Sequence, residues 1–270
     1  MRNPAKAPEF RDLVAREQLS VSILALDVDS DQSVEQAVKT ILAQGSQIDV
    51  LVNNAGVERA GSIEELPMEA FRQTMETNYF GALRCIRAVL PGMREARNGC
   101  IINITSVAGR IAVSPLAPYA ASKFALEALS EALAQEVKPF DIRVAVVEPG
   151  IIDTPMARRI EAPPSASLYR QGSRFAGMFE ASLATPTPPT LVAAKIREII
   201  ESGTWKLRHP AGPDAEPFLG WRASMNDEQW VEWGALEDQD WYERVSNDFG
   251  LEVRRRPLQA GAAGTGNSPE

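Results

Sequence analysis

The chain predicts a doubly wound α/β domain built on a parallel sheet, and three observations carry that expectation. Short apolar runs of strand length alternate with longer stretches of helical periodicity. Three of the runs are apolar almost without alternation, as strands covered on both faces are. Asn53-Asn54, Ser106 and Pro149-Gly150 each close such a run, and in open α/β sheets ligands bind outside the carboxyl ends of the strands.

Taken in order, the expected strands are VSILALDV (Val21 to Val28), IDVLVNNAG (Ile48 to Gly56), CIINITS (Cys100 to Ser106) and IRVAVVEPG (Ile142 to Gly150). Between them SVEQAVKTILAQG and MEAFRQTMETNYFGALRCIRAVLPGMREA read as helices. So does SPLAPYAASKFALEALSEAL, rich in Ala, Leu and Glu, whose Phe124, Leu126, Leu129 and Leu133 recur near helical spacing. After Gly150 the pattern loosens into a stretch rich in Pro, Ser, Ala and Arg. LVAAKIREIIESG resumes as a helix, and TWKLRHPAG holds one short strand. The acidic stretch from Asp227 to Phe249 reads as partly helical, with Trp230, Trp233, Trp241 and Tyr242 as packing or interface residues. The polar, glycine-rich end, 255–270, is expected to be disordered.

Composition bounds the function. With 270 residues, 44% of them hydrophobic, the chain can bury one sizeable core. A formal charge of -8 argues against nucleic acid or an anionic membrane as the main partner. Two cysteines, Cys85 and Cys100, and one histidine, His209, make a closed zinc site untenable, and the cysteines read as small buried hydrophobes. No apolar run is long enough to span a bilayer, and the N-terminus lacks a signal-peptide core, so a cytoplasmic location is expected.

Tyr119 and Lys123 lie four apart and therefore share a helix face. A free phenol has a pKa near 10, and a nearby ammonium favours the phenolate. Lowering it to about 7 needs about 4 kcal/mol of differential stabilisation. One lysine in a partly desolvated cleft, helped by a cationic cofactor, could supply that and make Tyr119 a general acid or base. Ser106 could donate to a carbonyl oxygen gaining charge. Each feature alone has a plain structural explanation: a surface pair, a turn at Asn53-Asn54-Ala55-Gly56, a helix cap at Ser106, a solvated Asn78. Their joint order is the stronger signal.

That set resembles the classical short-chain dehydrogenase/reductase family. The matching residues are Asn53-Asn54-Ala55-Gly56, Asn78 in TNYFGA, Ser106 in ITSVAG, Tyr119-Ala-Ala-Ser-Lys123, and Pro149-Gly150 followed by Thr154. The resemblance covers 1–212 and implies a Rossmann-type fold and hydride exchange between NAD(P)(H) and an alcohol or ketone. It implies that Tyr119 transfers the proton, Lys123 lowers its pKa and holds the nicotinamide ribose, Ser106 positions the carbonyl, and Asn78 helps hold a relay water. Cofactor contacts are implied for Asn54, Ala55, Gly56, Pro149, Gly150, Thr154 and the adenine-side Asp27 and Val28. Arg2 matches a basic position that accommodates a 2′-phosphate, which favours NADP over NAD.

The family also begins with a strand and a glycine-rich turn that cradles the pyrophosphate, and no such motif occurs here. Met1-Arg2-Asn3-Pro4 matches the end of the family's second strand, so the fold is expected to be truncated at its N-terminus relative to the family. Three accounts compete: a start codon assigned too late, a genuine fragment, or a non-catalytic binding or scaffolding protein. The retained Asn78, Ser106, Tyr119 and Lys123 favour the first. The chain as written is then expected to bind cofactor poorly.

By the same resemblance 151–190 forms a substrate lid, followed by an acidic extension at 213–254. The lid carries Ile151, Ile152, Met156, Ile160, Leu168, Tyr169, Phe175, Met178 and Phe179, which suits a bulky hydrophobic substrate at roughly 25 cal/mol per Å2 buried. GRIAVSPLAPYAASKFALEALSEALAQEVKPF resembles the steroid- and retinoid-dehydrogenase-like branch. In the family it resembles, the two long helices flanking Ser106 form the subunit contacts, so the resemblance implies a homodimer or homotetramer.

Overall fold

The computed structural model of the chain describes residues 1–45, 47–160 and 167–254. Its centre is a four-stranded, all-parallel sheet in the order β1-β2-β3-β4, formed by β1 (Val50–Asn53), β2 (Gly99–Ile104), β3 (Ile142–Pro149) and β4 (Arg208–Ala211). The helices are α1 (Pro8–Arg16), α2 (Asp31–Ala43), α3 (Met68–Met75), α4 (Gly81–Ala96), α5 (Ala117–Val137), α6 (Gln171–Ser182), α7 (Thr190–Ser202), α8 (Ala215–Ala223), α9 (Asp227–Ala235) and α10 (Asp238–Phe249). This is a Rossmann-type α/β fold.

Alternation of side chains along each strand decides what covers the sheet. Ile101 and Val144 face one side, where Ile86, Val89 and Met93 of α4 and Leu133 and Val137 of α5 meet them. Cys100, Ile102, Ala145 and Val147 face the other, under Ile196, Ile199 and Ile200 of α7. Both faces of β2 are buried, which is why its sequence shows no polar alternation. Cys85 and Cys100 are buried free thiols, and burial pushes both above the ordinary thiol pKa.

One expected strand does not form. Residues 21–27 carry no regular secondary structure and belong to no sheet, because a strand exists only through a ladder to a neighbour. To the segment at Met1 the stretch makes a bond from the Met1 amino group to the Leu24 carbonyl at 3.1 Å and one from the Leu26 N–H to the Met1 carbonyl at 3.0 Å. Leu26 and Val28 instead pack on Val34 of α2 and Cys85 of α4. β1 thus edges the described sheet, with Val52 37% exposed.

The long helix expected from Met68 to Ala96 is continuous, but Glu76–Phe80 widens into a π-helical turn between α3 and α4. Such turns recur at functional sites, and this one contains Asn78. The acidic C-terminal stretch is two helices, α9 and α10. Trp233, Trp241 and Val245 bury themselves against Val113, Met178 and Trp221, so the extension is joined to the lid by one aromatic core. The tail 255–270 lies outside the described residues.

Candidate active site

The carboxyl ends of β1, β2 and β3 open on one cavity of about 710 Å3. Asn54 and Gly56 follow β1, Ser106 follows β2, Pro149 and Gly150 end β3, and Tyr119 and Lys123 enter from the first two turns of α5. Thr154 lines it from the lid. Chain direction alone explains the convergence, since parallel strands put every strand-to-helix loop at one edge.

Ser106 does two things at once. Its Oγ accepts the Ala108 N–H at 3.1 Å, capping the short 3-10 turn Val107–Gly109, and its hydroxyl works to lower the pKa of the Tyr119 phenol. The Lys123 Nζ lies 5.5 Å from the Tyr119 ring centroid and donates to the Ile104 carbonyl at 2.9 Å. Lys123 is 5% exposed, and burial lowers its ammonium to about 8. The phenol does not follow the direction expected from the ammonium alone. Burial pushes Tyr119 above its ordinary value, the Glu58 carboxylate pushes it further, and Ser106 opposes both. Taking a phenolate out of water outweighs what the Ser106 hydroxyl returns.

Asn78 stands behind the site rather than in it. It is 1% exposed and its amide clasps the loop after β1: Oδ1 accepts the Val57 N–H at 2.8 Å and Nδ2 donates to the Val57 carbonyl at 2.9 Å. Nδ2 also donates to Ser122 Oγ at 2.9 Å, and Ser122 donates to the Tyr119 carbonyl at 2.7 Å. Asn78 therefore fixes Gly56 and Tyr119 relative to each other. Below them, Asn53 donates to Asn103 at 2.8 Å and Asn103 to Ser130 at 2.8 Å, pinning β1 to β2 and β2 to α5.

Arg2, Asp27, Val28 and Ala55 do not line the cavity. Arg2 donates through Nε to Asp27 at 3.0 Å and through Nη2 to Asp29 at 2.8 Å, at an exposed position. Val28 packs on Gly81, where a Cβ would come within 2.7 Å of its Cγ2.

Among the expected lid residues, Ile151, Ile152, Met156, Phe175, Met178 and Phe179 line the cavity. Leu168 and Tyr169 do not: Leu168 is 86% exposed, and the Tyr169 hydroxyl donates to Glu64. Ile160 also lies outside the lining. The C-terminal helices instead supply Phe218, Trp221, Trp230, Trp233 and Phe249 to the wall. Aromatic spacing marks their buried stripe in the sequence, but nothing local says that the stripe meets a cavity.

Two carboxyls carry no motif signal. Asp214 Oδ2 accepts the Ile151 N–H at 2.8 Å, and a Cβ on Gly150 would fall 2.1 Å from Asp214 Oδ1. The glycine is required there so that the loop after β3 can seat against that carboxylate. Glu58 reaches the cavity from the loop after β1, and burial raises its carboxyl to about 7.

The residues fit the nicotinamide end of a dinucleotide. An ammonium has three donors, and the Ile104 carbonyl takes one from Lys123. Gly56 presents bare backbone beside it, a Cβ there lying 3.8 Å from Nζ. No group of three or more His, Cys, Asp or Glu side chains able to hold a metal occurs among the described residues. No helix among them is long and apolar enough to cross a membrane.

Comparison with known proteins identifies the family. The uncharacterized oxidoreductase YusZ of Bacillus subtilis (strain 168) is 41% identical over 177 residues, covering 63% of each chain. The 3-ketodihydrosphingosine reductase of Bacteroides thetaiotaomicron is 46% identical over 134 residues, covering 50% of each. The chain thus spans less than two thirds of the length of these relatives. A short-chain dehydrogenase structure from Streptomyces avermitilis matches 92% of this chain and 87% of its own, with a TM-score of 0.73 and 31% identity. The sequence model of the short chain dehydrogenase family matches residues 1–165, and the chain belongs to that family.

Proposed function

We propose that the protein is an oxidoreductase that moves hydride between a nicotinamide dinucleotide and a bulky hydrophobic alcohol or ketone. The observation that carries this is the meeting of Tyr119, Ser106 and Lys123 on one largely apolar cavity of about 710 Å3. When bound, the nicotinamide supplies the hydride donor or acceptor. Asn54, Gly56, Lys123, Pro149, Gly150 and Thr154 would hold its nicotinamide end. Tyr119 moves the proton at the substrate oxygen, and Ser106 donates a hydrogen bond to the same oxygen as charge develops there. Asn78 positions the loop that carries Gly56. The aromatic and aliphatic wall excludes water from the reacting carbon and accounts for the substrate's size and polarity.

NADP is the proposed cofactor, through Arg2. Its pairs with Asp27 and Asp29 are exposed, and such pairs are worth about 0–1 kcal/mol, so a dianionic 2′-phosphate can displace them. Self-association through α4 and α5 is part of the same proposal. The experiment is NADP-dependent oxidation of secondary alcohols graded in size, followed by NADPH absorbance. Tyr119→Phe should lower kcat by about a hundredfold or more with the fold intact. Turnover within a few fold of the wild type would refute the assignment.

A further inference from the structure

Glu58 is a carboxyl in a wall that is otherwise mostly aliphatic and aromatic. Its Oε1 is buried and has no hydrogen-bond partner among the described residues. Arg59, next in sequence, donates at 2.8 Å to the Glu58 backbone carbonyl and leaves the carboxylate alone. Burial raises the carboxyl without a compensating cation. It lines the same cavity as Tyr119, where the proton is moved, and its charge raises the phenol. A buried acceptor without a donor is costly, and a ligand that brings the donor removes that cost.

We propose that Glu58 is a specificity-determining residue that accepts a hydrogen bond from a hydroxyl or amino group close to the substrate's reacting carbon. The substrate class is then an apolar alcohol or ketone with a neighbouring hydrogen-bond donor, rather than a plain hydrocarbon alcohol. The inference rests on Tyr119 marking the reacting carbon. A site built around a polar substrate group discriminates against analogues lacking it far more sharply than an apolar wall discriminates by size.

Binding can be read without turnover, because Trp221, Trp230 and Trp233 line the cavity and their emission reports its occupancy. The probes are octan-2-ol, its vicinal diol and its vicinal amino alcohol, titrated against wild type, Glu58→Gln and Glu58→Leu. The wild type should bind a donor-bearing probe about tenfold or more tighter than octan-2-ol. Glu58→Leu should bring the probes within about twofold of one another. Glu58→Gln keeps an acceptor and loses the charge, so it should retain preference for the diol and lose preference for the amino alcohol. Equal binding of all three by the wild type, preference surviving in Glu58→Leu, or no binding of any probe would overturn the inference. Selective binding without hydride transfer would count against the oxidoreductase reading and leave the Glu58 assignment standing.

Discussion

An ammonium as buried as that of Lys123, with the Ile104 carbonyl as its direct acceptor, is held against the preference of the charge for water. The sign of the consequence follows from linkage. The folded value, about 8, lies below the ordinary 10.5, so between them the unfolded chain keeps a proton that the folded chain has released. Stability from this group rises with pH across that window, and below it the full cost is present. Wild type should gain about 1–3 kcal/mol relative to Lys123→Met between pH 8 and pH 10.5 in urea unfolding. A difference that stays flat with pH would show that the charge is not buried in solution. The identity of Tyr119, Lys123 and Ser106 was legible in the sequence because order along the chain maps onto one sheet edge. The upward push on the phenol was not, because burial and the approach of Glu58 are set by residues distant in sequence.

At the scale of elements, the lid and the C-terminal helices are fastened together by Arg174 of α6. It donates to Asp238 at the start of α10 at 2.8 Å and 2.6 Å, and to the Leu236 carbonyl at 2.7 Å, while being 2% exposed. Asp238 is half exposed, so the two partners are not equivalent. Removing the carboxylate strands a buried cation whose Nη1 already lacks a partner among the described residues, whereas removing the guanidinium leaves a carboxylate that water can reach. Asp238→Ala should therefore cost about 2–3 kcal/mol, and Arg174→Met less than half of that. Urea denaturation of the two variants checks the order, and a larger loss for Arg174→Met would contradict it. The helix of α10 is readable from its periodicity; its attachment to α6 is not, since it joins residues more than sixty apart. The same limit explains the unpaired stretch at 21–27, whose apolar composition signals a strand while pairing decides whether one exists.

For the whole molecule, affinity for the dinucleotide depends on more than the nicotinamide end. Among the described residues no glycine-rich turn joins a strand to a helix, so backbone N–H groups that would cradle the pyrophosphate are not provided there. Fluorescence titration of this chain should give NADPH dissociation constants weaker than about 1 μM, with NADPH still preferred over NADH and the preference lost in Arg2→Ala. Submicromolar NADPH binding, or an unchanged preference in the variant, would contradict this. Light scattering should give a mass of at least twice 29.5 kDa if α4 and α5 form the subunit contact; a monomer would dismiss that contact.

The sequence by itself determined the fold class and the residues at the strand ends, because hydrophobic periodicity and chain order are local properties that a parallel sheet converts directly into position. It also singled out Asn78, Ser106, Tyr119 and Lys123 as residues expected to act together. Only the tertiary structure decided that Asn78 clasps a loop instead of facing the cavity, that Leu168 and Tyr169 turn away from it, and that the C-terminal tryptophans form its wall. It alone brought Glu58 into the cavity that Tyr119 lines. Those outcomes depend on which buried surfaces meet and on which polar atoms are left without partners, and both arise from contacts between segments far apart in the chain.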